Sequence, residues 1–415
     1  MPAGAAFYRS LNGGDTWTQI STGLTNTGVR MVIGVSQNNT NVVYLVAGAS
    51  NGFSGIYKST NGGNSFATMS TTPNILGYSA TGSDTESQAY YDLAVAVDPS
   101  NANTVYVGGI NIWKSTNSGA SWTINAHWVG TNAPAVHADQ HCLVYSPADG
   151  ALYNGNDGGI YKTTNGGTTW TDYTSGLGIS QIYRIGQSAS DGNQVIAGFQ
   201  DNGTALYNST WSTVIGGDGM ECIIDPSNTN YKYGALYYGD VRRSVSGSYY
   251  STIAENGTNG INESGAWITP YCLQENQPGT MFVGYKNIWR STNVKASSAN
   301  SVSWTKISTI GTTSSINIIE NSPADNAILY IARGSSLFRT DNANANTPTW
   351  VTLSTLGSTV SDLEADPTNS NIVYATAGTS VFKSTNKGQS WTSITSNLPT
   401  VSINCLVIDT TNTSA

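Results

Sequence analysis

The sequence predicts an all-β chain, a single β-propeller of about nine four-stranded antiparallel blades. Three observations carry this expectation. A short motif recurs from one end of the chain to the other, each copy falls at the same point in a fixed order of four short apolar runs, and no helical periodicity interrupts them.

The motif is plain in YRSLNGGDTW (8–17), YKSTNGGNSF (57–66), WKSTNSGASW (113–122), YKTTNGGTTW (161–170) and FKSTNKGQSW (382–391). WRSTN (289–293), followed by an insertion before Trp304, and FRTDN (338–342), leading to Trp350, are the same unit with longer turns. Degenerate copies around TALYNSTWSTVI (204–215) and VRRSVSGSYYSTI (241–253) fill the gap between them. Around each copy the runs keep one order, which we label A to D. In the third period they are DLAVAVDPSN, TVYVGG, NIWKST and SWTIN; in the last they are DLEADPTNSN, IVYATAG, SVFKST and SWTSIT. The motif bridges C and D, where the chain must reverse tightly. Asn-Gly and Gly-Gly supply positive φ there, and the Asn side chain can accept backbone N–H bonds across the turn. The terminal residues Trp17, Trp122, Trp170, Trp304, Trp350 and Trp391 are expected to pack between neighbouring blades.

The ends predict closure. AAFYRSLNGGDTWTQIS supplies strands C and D of a blade, and VSINCLVIDTTNTSA reads as a lone strand A, so residues 1–22 and 400–415 are expected to share the closing blade. With the complete periods this gives nine; eight or ten follow if the closing blade's missing strand B is counted differently. Residues 1–415 then form one propeller. Because the chain starts and stops in mid-pattern, it is expected to be a piece of a longer secreted protein.

Charged residues make up 10% of the chain, against ~25% in ordinary soluble proteins, and the net charge is −8. An acidic, Asn/Thr-rich surface disfavours nucleic acid. No run of ~18 apolar residues could span a membrane, and MPAGAAF (1–7) does not read as a signal peptide. Cys142, Cys222, Cys272 and Cys405 each fall in the A run of a different period, which predicts buried thiols rather than disulfides. No zinc spacing, phosphate-binding loop or hydrolase elbow is present, and neither a metal nor a cofactor is expected.

The repeat S/T-x-N-x-G-x-x-W resembles the Asp-box (bacterial neuraminidase repeat) motif, S-x-D-x-G-x-x-W, with Asn in place of Asp in nearly every copy. Asn keeps the acceptor oxygen. The resemblance implies a propeller scaffold of the kind found in sialidases, sortilin-type receptors and tandem-propeller xyloglucan-cleaving glycoside hydrolases. The segments HADQH, NDGG, QDNG and GGDG look most like large secreted Bacteroidetes proteins exported by type IX secretion. That likeness implies a bacterial protein that is secreted or held at the cell surface. Asp boxes are scaffold parts, so function must be argued from a site.

In antiparallel blades the D→A and B→C connections share one face. His137, Asp139 and His141 open an A strand; Asp157 lies in a B→C loop (156–159), Gln200 and Asp201 in the next (200–203), and Asp218 in a D→A loop (216–219). All are expected on that face as ligand contacts. Asp157, Asp201 and Asp218 are the candidate catalytic carboxylates. Each Asp-Gly pair also reads as an ordinary turn. The His-x-Asp-x-His array, expected to alternate along a strand with all three side chains on one side, also reads as a network tying inner strands. Its ligands would stand ~6–7 Å apart, too wide for one small ion. Loops 71–91 (with Tyr90 and Tyr91), 125–136 (with Trp128) and 254–266, leading to Trp267, are expected to bring aromatics to the same face. A sialidase would need three arginines gripping a carboxylate, and Arg184, Arg242, Arg243 and Arg333 do not fall at matching points of successive periods.

The function these features favour is binding or adhesion, with a carbohydrate or protein ligand. A glycoside hydrolase using an aspartate acid/base pair is one alternative, with carboxylates ~5–9.5 Å apart. A self-associating structural subunit of an extracellular assembly is another.

Overall fold

The computed structural model describes residues 5–247, 249–274, 276–310 and 314–408. Its described strands form nine antiparallel sheets, eight of four strands and one of two. The first pairs Phe7–Arg9 with Thr18–Ile20. Each of the others is a meander in the order A-B-C-D, as expected. In the second the strands are Arg30–Val35, Val43–Ala49, Gly52–Ser59 and Ala67–Ser70; in the fourth they are Gln140–Tyr145, Leu152–Asn156, Gly159–Thr163 and Thr171–Asp172. The degenerate stretches are real C–D pairs: Gly203–Asn208 with Thr210–Ile215 in the fifth sheet, Asp240–Val245 with Ser251–Ala254 in the sixth. Apart from two short 3-10 turns, no helix is present among the described residues, and none is long and apolar enough to cross a membrane.

The chain divides into two compact units, 1–179 with the first four sheets and 180–415 with the other five. Within the first unit, the A strand of the second sheet lies against that of the third (Ala94–Val97), which lies against that of the fourth. In the second unit, the A strands of the fifth (Ile182–Gln187) and sixth (Cys222–Ile224) sheets meet, as do those of the seventh (Tyr271–Leu273), eighth (Ile318–Asn321) and ninth (Val360–Ala365). Side-by-side A strands, with B, C and D stepping outward, are the packing of propeller blades. The apolar core fills the spaces between consecutive sheets. Val46 and Ile56 of the second sheet, for example, pack with Leu93, Val105, Val107 and Trp113 of the third.

The recurring turn holds by one bonding scheme. In the second sheet Ser59 Oγ accepts from Gly63 N–H (2.9 Å) and donates to Asn61 Oδ1 (2.8 Å), which also accepts from Ser65 N–H (3.1 Å). Asn61 Nδ2 donates to Ser65 Oγ at 2.8 Å, where an aspartate oxygen would have to accept from the hydroxyl instead. The scheme repeats around Asn117, Asn165 and Asn386, and the acceptor half survives the longer turns at Asn293 and Asn342. Asn165→Ala should therefore cost about 1–2 kcal/mol in denaturant unfolding, and Asn165→Asp less than half of that.

The basic residue at the motif's second position reaches from one sheet to the C–D turn of the next. Lys114 Nζ donates to Gly166 O (3.1 Å). Arg243 Nη1 donates to Val294 O and Ala296 O (2.5 and 2.8 Å), and Arg290 Nη1 to Ala343 O and Ala345 O (2.5 and 2.9 Å). Arg9 grips Asn64, Lys58 grips Ser118, and Arg339 grips Lys387 O in the same way. In a chain so poor in charge, a good part of its cations serve as these grips.

Most motif tryptophans pack as expected. Trp122, Trp304 and Trp350 lie against the preceding sheet and donate to Ser70 Oγ, Ile253 O and Ile307 O, while Trp170 and Trp391 pack into neighbouring cores. Trp17 does not. It is exposed.

The closing blade is only partly open to test, because residues 1–4 and 409–415 lie outside the described residues. Residues 401–408 form no strand. They run along the ninth sheet instead: Ile403 N–H donates to Gly378 O (3.0 Å), and Ile403 O accepts from Ser361 Oγ (2.6 Å).

All four cysteines are free thiols, but only Cys222 is buried. Cys142 and Cys405 are exposed, contrary to expectation. Cys142 lies on the side of its A strand turned away from the core, and Cys405 belongs to the non-strand terminal stretch.

Candidate functional site

In the first unit, the rim of the fourth sheet collects His137, Asp139, His141 and Asp157, though not by the expected alternation. The A strand begins only at Gln140. Asp139 has a left-handed backbone (φ 64°), and the pairing slips between Gln140 and Cys142, so His141 is a bulge residue. The cause is Gln140, whose buried amide donates to His137 O (2.7 Å) and Ile110 O (3.2 Å) and pins the chain before it can extend. A bulge re-aims side chains.

Asp157 sits at the tip of the B→C turn. Asn156 Oδ1 accepts from Gly158 and Gly159 N–H (3.1 and 3.0 Å), an Asx turn that leaves the carboxylate at the rim. Gly158 is needed because His137 lies over it; a Cβ there would fall 2.3 Å from the imidazole. Asp157 Oδ1 meets His141 Nε2 at 2.7 Å, and Oδ2 accepts from the Tyr91 hydroxyl at 2.8 Å. The Tyr91 and His141 rings meet edge to face, centroids 4.8 Å apart. An oxygen of Asp139 lies within 4.8 Å of one of Asp157, and Gln88 Nε2 donates to Asp139 Oδ1 (3.0 Å).

Behind Asp139 lies Asp92, fully buried, with neither carboxyl oxygen offered a hydrogen by any donor among the described residues. Its bonding neighbour is the Asp139 carboxyl. Two carboxyls can bond only through a shared proton. Burial, then the charge of Asp139, pushes Asp92 far above the usual carboxylate range, so the proton sits there at neutral pH. Asp139 is raised too, by burial and by Asp157. Loop 71–91 supplies Gln88 and Tyr91, and the chain just beyond it supplies Asp92. Tyr91 is one of the aromatics expected at this face, but no motif marks Gln88 or Asp92, and only the folded loop brings them to the histidine segment.

The remaining histidine is structural. His127 Nδ1 accepts from Val129 and Thr131 N–H (3.2 and 3.3 Å), so Nε2 carries the hydrogen donated to Tyr78 O (3.1 Å). This stitches two loops that present Tyr78, Tyr90 and Trp128 to solvent.

In the second unit, Asp201 N–H donates to Asp218 Oδ1 (2.9 Å), and Gly203 bridges Asp218. The structure thus joins the 200–203 and 216–219 loops, with Asp218 acting as acceptor for the Asp201 turn (φ 57°). Gln200 holds the same turn, its carbonyl accepting from Asn202 Nδ2 (3.0 Å). A Cβ on Gly219 would lie 2.2 Å from Gly203 O, so this approach requires glycine. Nearby A strands carry carboxyls without any sequence motif. Burial pushes Glu221 up to about 7 against the pull of Arg184 (3.3 Å), and pushes Glu364 up to about 7 with help from Asp362.

No family model matches the chain, and no curated protein matches it. Solved structures do resemble it. The chain is similar to the GH74 enzyme of Niastella koreensis, with 19% identity over 93% of this chain and 69% of that one, at a TM-score of 0.31. It is similar to the GH74 xyloglucanase of Xanthomonas campestris, with 13% identity over 93% and 76% and a TM-score of 0.33. It also resembles the extracellular domain of the B. thetaiotaomicron system BT4673, with 11% identity over 99% and 66% and a TM-score of 0.37. At such identities and TM-scores these likenesses say nothing about which residues act. The class rests on the chain's own sheets, which are all-β and of propeller-blade type.

Proposed function

We propose that the chain is a secreted or cell-surface bacterial binding module whose ligand is a carbohydrate, contacted at the rim of the fourth sheet. The observation that carries this reading is Asp157, a partly buried carboxylate fixed between the Tyr91 hydroxyl and His141 at an exposed aromatic edge. Fixed planar polar groups beside aromatic rings suit a sugar, whose hydroxyls bond in the ring plane while its C–H faces pack on aromatics. His137, Asp139, His141 and Asp157 are the proposed contacts in the first unit; Gln200, Asp201 and Asp218 are those proposed in the second. The Asp-box relationship and export by type IX secretion belong to this proposal, supported by the recurring Asn turns and the HADQH and NDGG segments. A glycan array probed with the wild-type chain, Asp157→Asn and His141→Ala tests it. Each variant should weaken binding about tenfold, or roughly 1.4 kcal/mol. Unchanged binding by both would remove the site.

One observation favours a second reading, a glycoside hydrolase. An oxygen of Asp139 and one of Asp157 lie within 4.8 Å of each other at the rim, the close approach of a carboxyl pair that could flank a glycosidic bond. Reducing sugar released from a polysaccharide panel, and lost in both Asp139→Asn and Asp157→Asn, would establish it. Release that survives both substitutions would end it.

A further inference from the structure

A second place on the molecule is built to hold a ligand. In the sixth sheet the B→C connection is a 3-10 turn, Tyr237–Gly239, and it presents two aromatic rings to solvent. Tyr237 stacks on Trp267 with ring planes 6° apart and centroids at 5.1 Å, while Tyr238 stands edge-on to both. The three rings remain 41%, 53% and 41% exposed for Tyr237, Tyr238 and Trp267, which is unfavourable in the absence of a partner. Tyr238 holds a left-handed backbone (φ 60°), an outlier for a bulky residue. It is fixed there by Tyr238 N–H donating to Trp267 O (3.3 Å) and Tyr238 O accepting from Gly265 N–H (3.0 Å). The buried Tyr285 hydroxyl ties the next residue through Gly239 O (2.7 Å).

Beside the rings opens a cavity of about 440 Å³, lined by Asp240, Arg242, Glu255, Asn256 and Ser264 as well as the tyrosines. Arg242 binds Asp240 through Nε and Nη2 (2.9 and 2.6 Å), so that charge is met within the chain. Glu255 is raised by burial and by Asp240. The 216–219 loop flanks the rings: at Gly217 a Cβ would lie 2.8 Å from Leu236 and 4.0 Å from Tyr237.

The geometry points to a second carbohydrate site, in which one hexopyranose of a neutral oligosaccharide extends the Tyr237–Trp267 stack and turns its hydroxyls into the Asp240–Arg242–Glu255 cavity. The rings offer a flat face for C–H packing, and the cavity offers donors and acceptors in fixed places. Because Arg242 is already engaged by Asp240 and Glu255 adds a carboxyl, an acidic sugar finds no unengaged cation among the described lining residues and is repelled.

The inference is independent of the rim site, and its test keeps the two apart. The intact chain is titrated with gluco-, manno- and galacto-configured hexasaccharides and with an oligouronate, following tryptophan fluorescence and calorimetry. A neutral sugar should bind with Kd of about 1 mM or tighter. Tyr237→Ala and Trp267→Ala, each made in the wild-type chain and again in an Asp157→Asn chain whose rim contact is removed, should weaken it about tenfold, with Trp267→Phe keeping most of the affinity. Circular dichroism and melting of each variant confirm folding. The inference is overturned if no neutral sugar binds, if only the oligouronate or a peptide binds, or if the folded Tyr237→Ala and Trp267→Ala chains bind like wild type.

Discussion

Replacing Asp92 by asparagine should make the chain more stable at alkaline pH and flatten its stability profile. Asp92 holds its proton in the folded chain well above the value of an unfolded aspartate, ~3.9. For an acid raised in this way, the contribution to stability is complete below the unfolded value. It is lost as pH rises through the folded one, because unfolding then releases the proton. Asparagine keeps the shape and can donate to Asp139 as the protonated acid does. The fall in stability between thermal melts at about pH 5 and about pH 8.5 should therefore be smaller for Asp92→Asn than for the wild type. The gain at the higher pH should be on the order of 2–4 kcal/mol, given 1.36 kcal/mol per unit of pKa difference. A variant as pH-sensitive as the wild type would mean that Asp92 is ionised in the fold. Glu364→Gln should show the same sign on a smaller scale, from a group raised to about 7.

The second large effect belongs to Arg290. Its buried guanidinium satisfies Ala343 O and Ala345 O in the next sheet's turn. Arg290→Met fills similar space but leaves two carbonyls unmet, and should cost roughly 2–4 kcal/mol in denaturant unfolding. Lys114→Met, at a more exposed copy of the grip, should cost about 1 kcal/mol or less. Equal losses would show that the grip is a surface contact at both places.

What the sequence made legible is local. The C–D turn is written in adjacent residues, with Ser or Thr, Asn and Gly at fixed offsets, and the strand runs flank it, so the sheets could be drawn without coordinates. The grips were half legible: a Lys or Arg recurs at one motif position, but its partner lies a whole period downstream. The rim was legible as a place and misread as a geometry. His137, Asp139 and His141 look like an alternating strand, and neither the positive φ of Asp139 nor the bulge at His141 has a local marker; both come from the buried Gln140. Asp92 opens the motif-free run DLAVAV, where it reads as the start of a strand, and its meaning arises only from Asp139. Tyr237 and Tyr238 resemble any aromatic strand end until the Trp267 loop folds over them.

The reach of Lys58, Lys114, Arg243, Arg290 and Arg339 onto the turn of the next sheet has a wider implication. Within each unit, sheets gripped in this way are linked like the cars of a train. Cutting one coupling should let unfolding begin at that joint and spread from it, rather than loosen the molecule evenly. Whole cars, swapped together with their couplings, should be better tolerated than changes that split one.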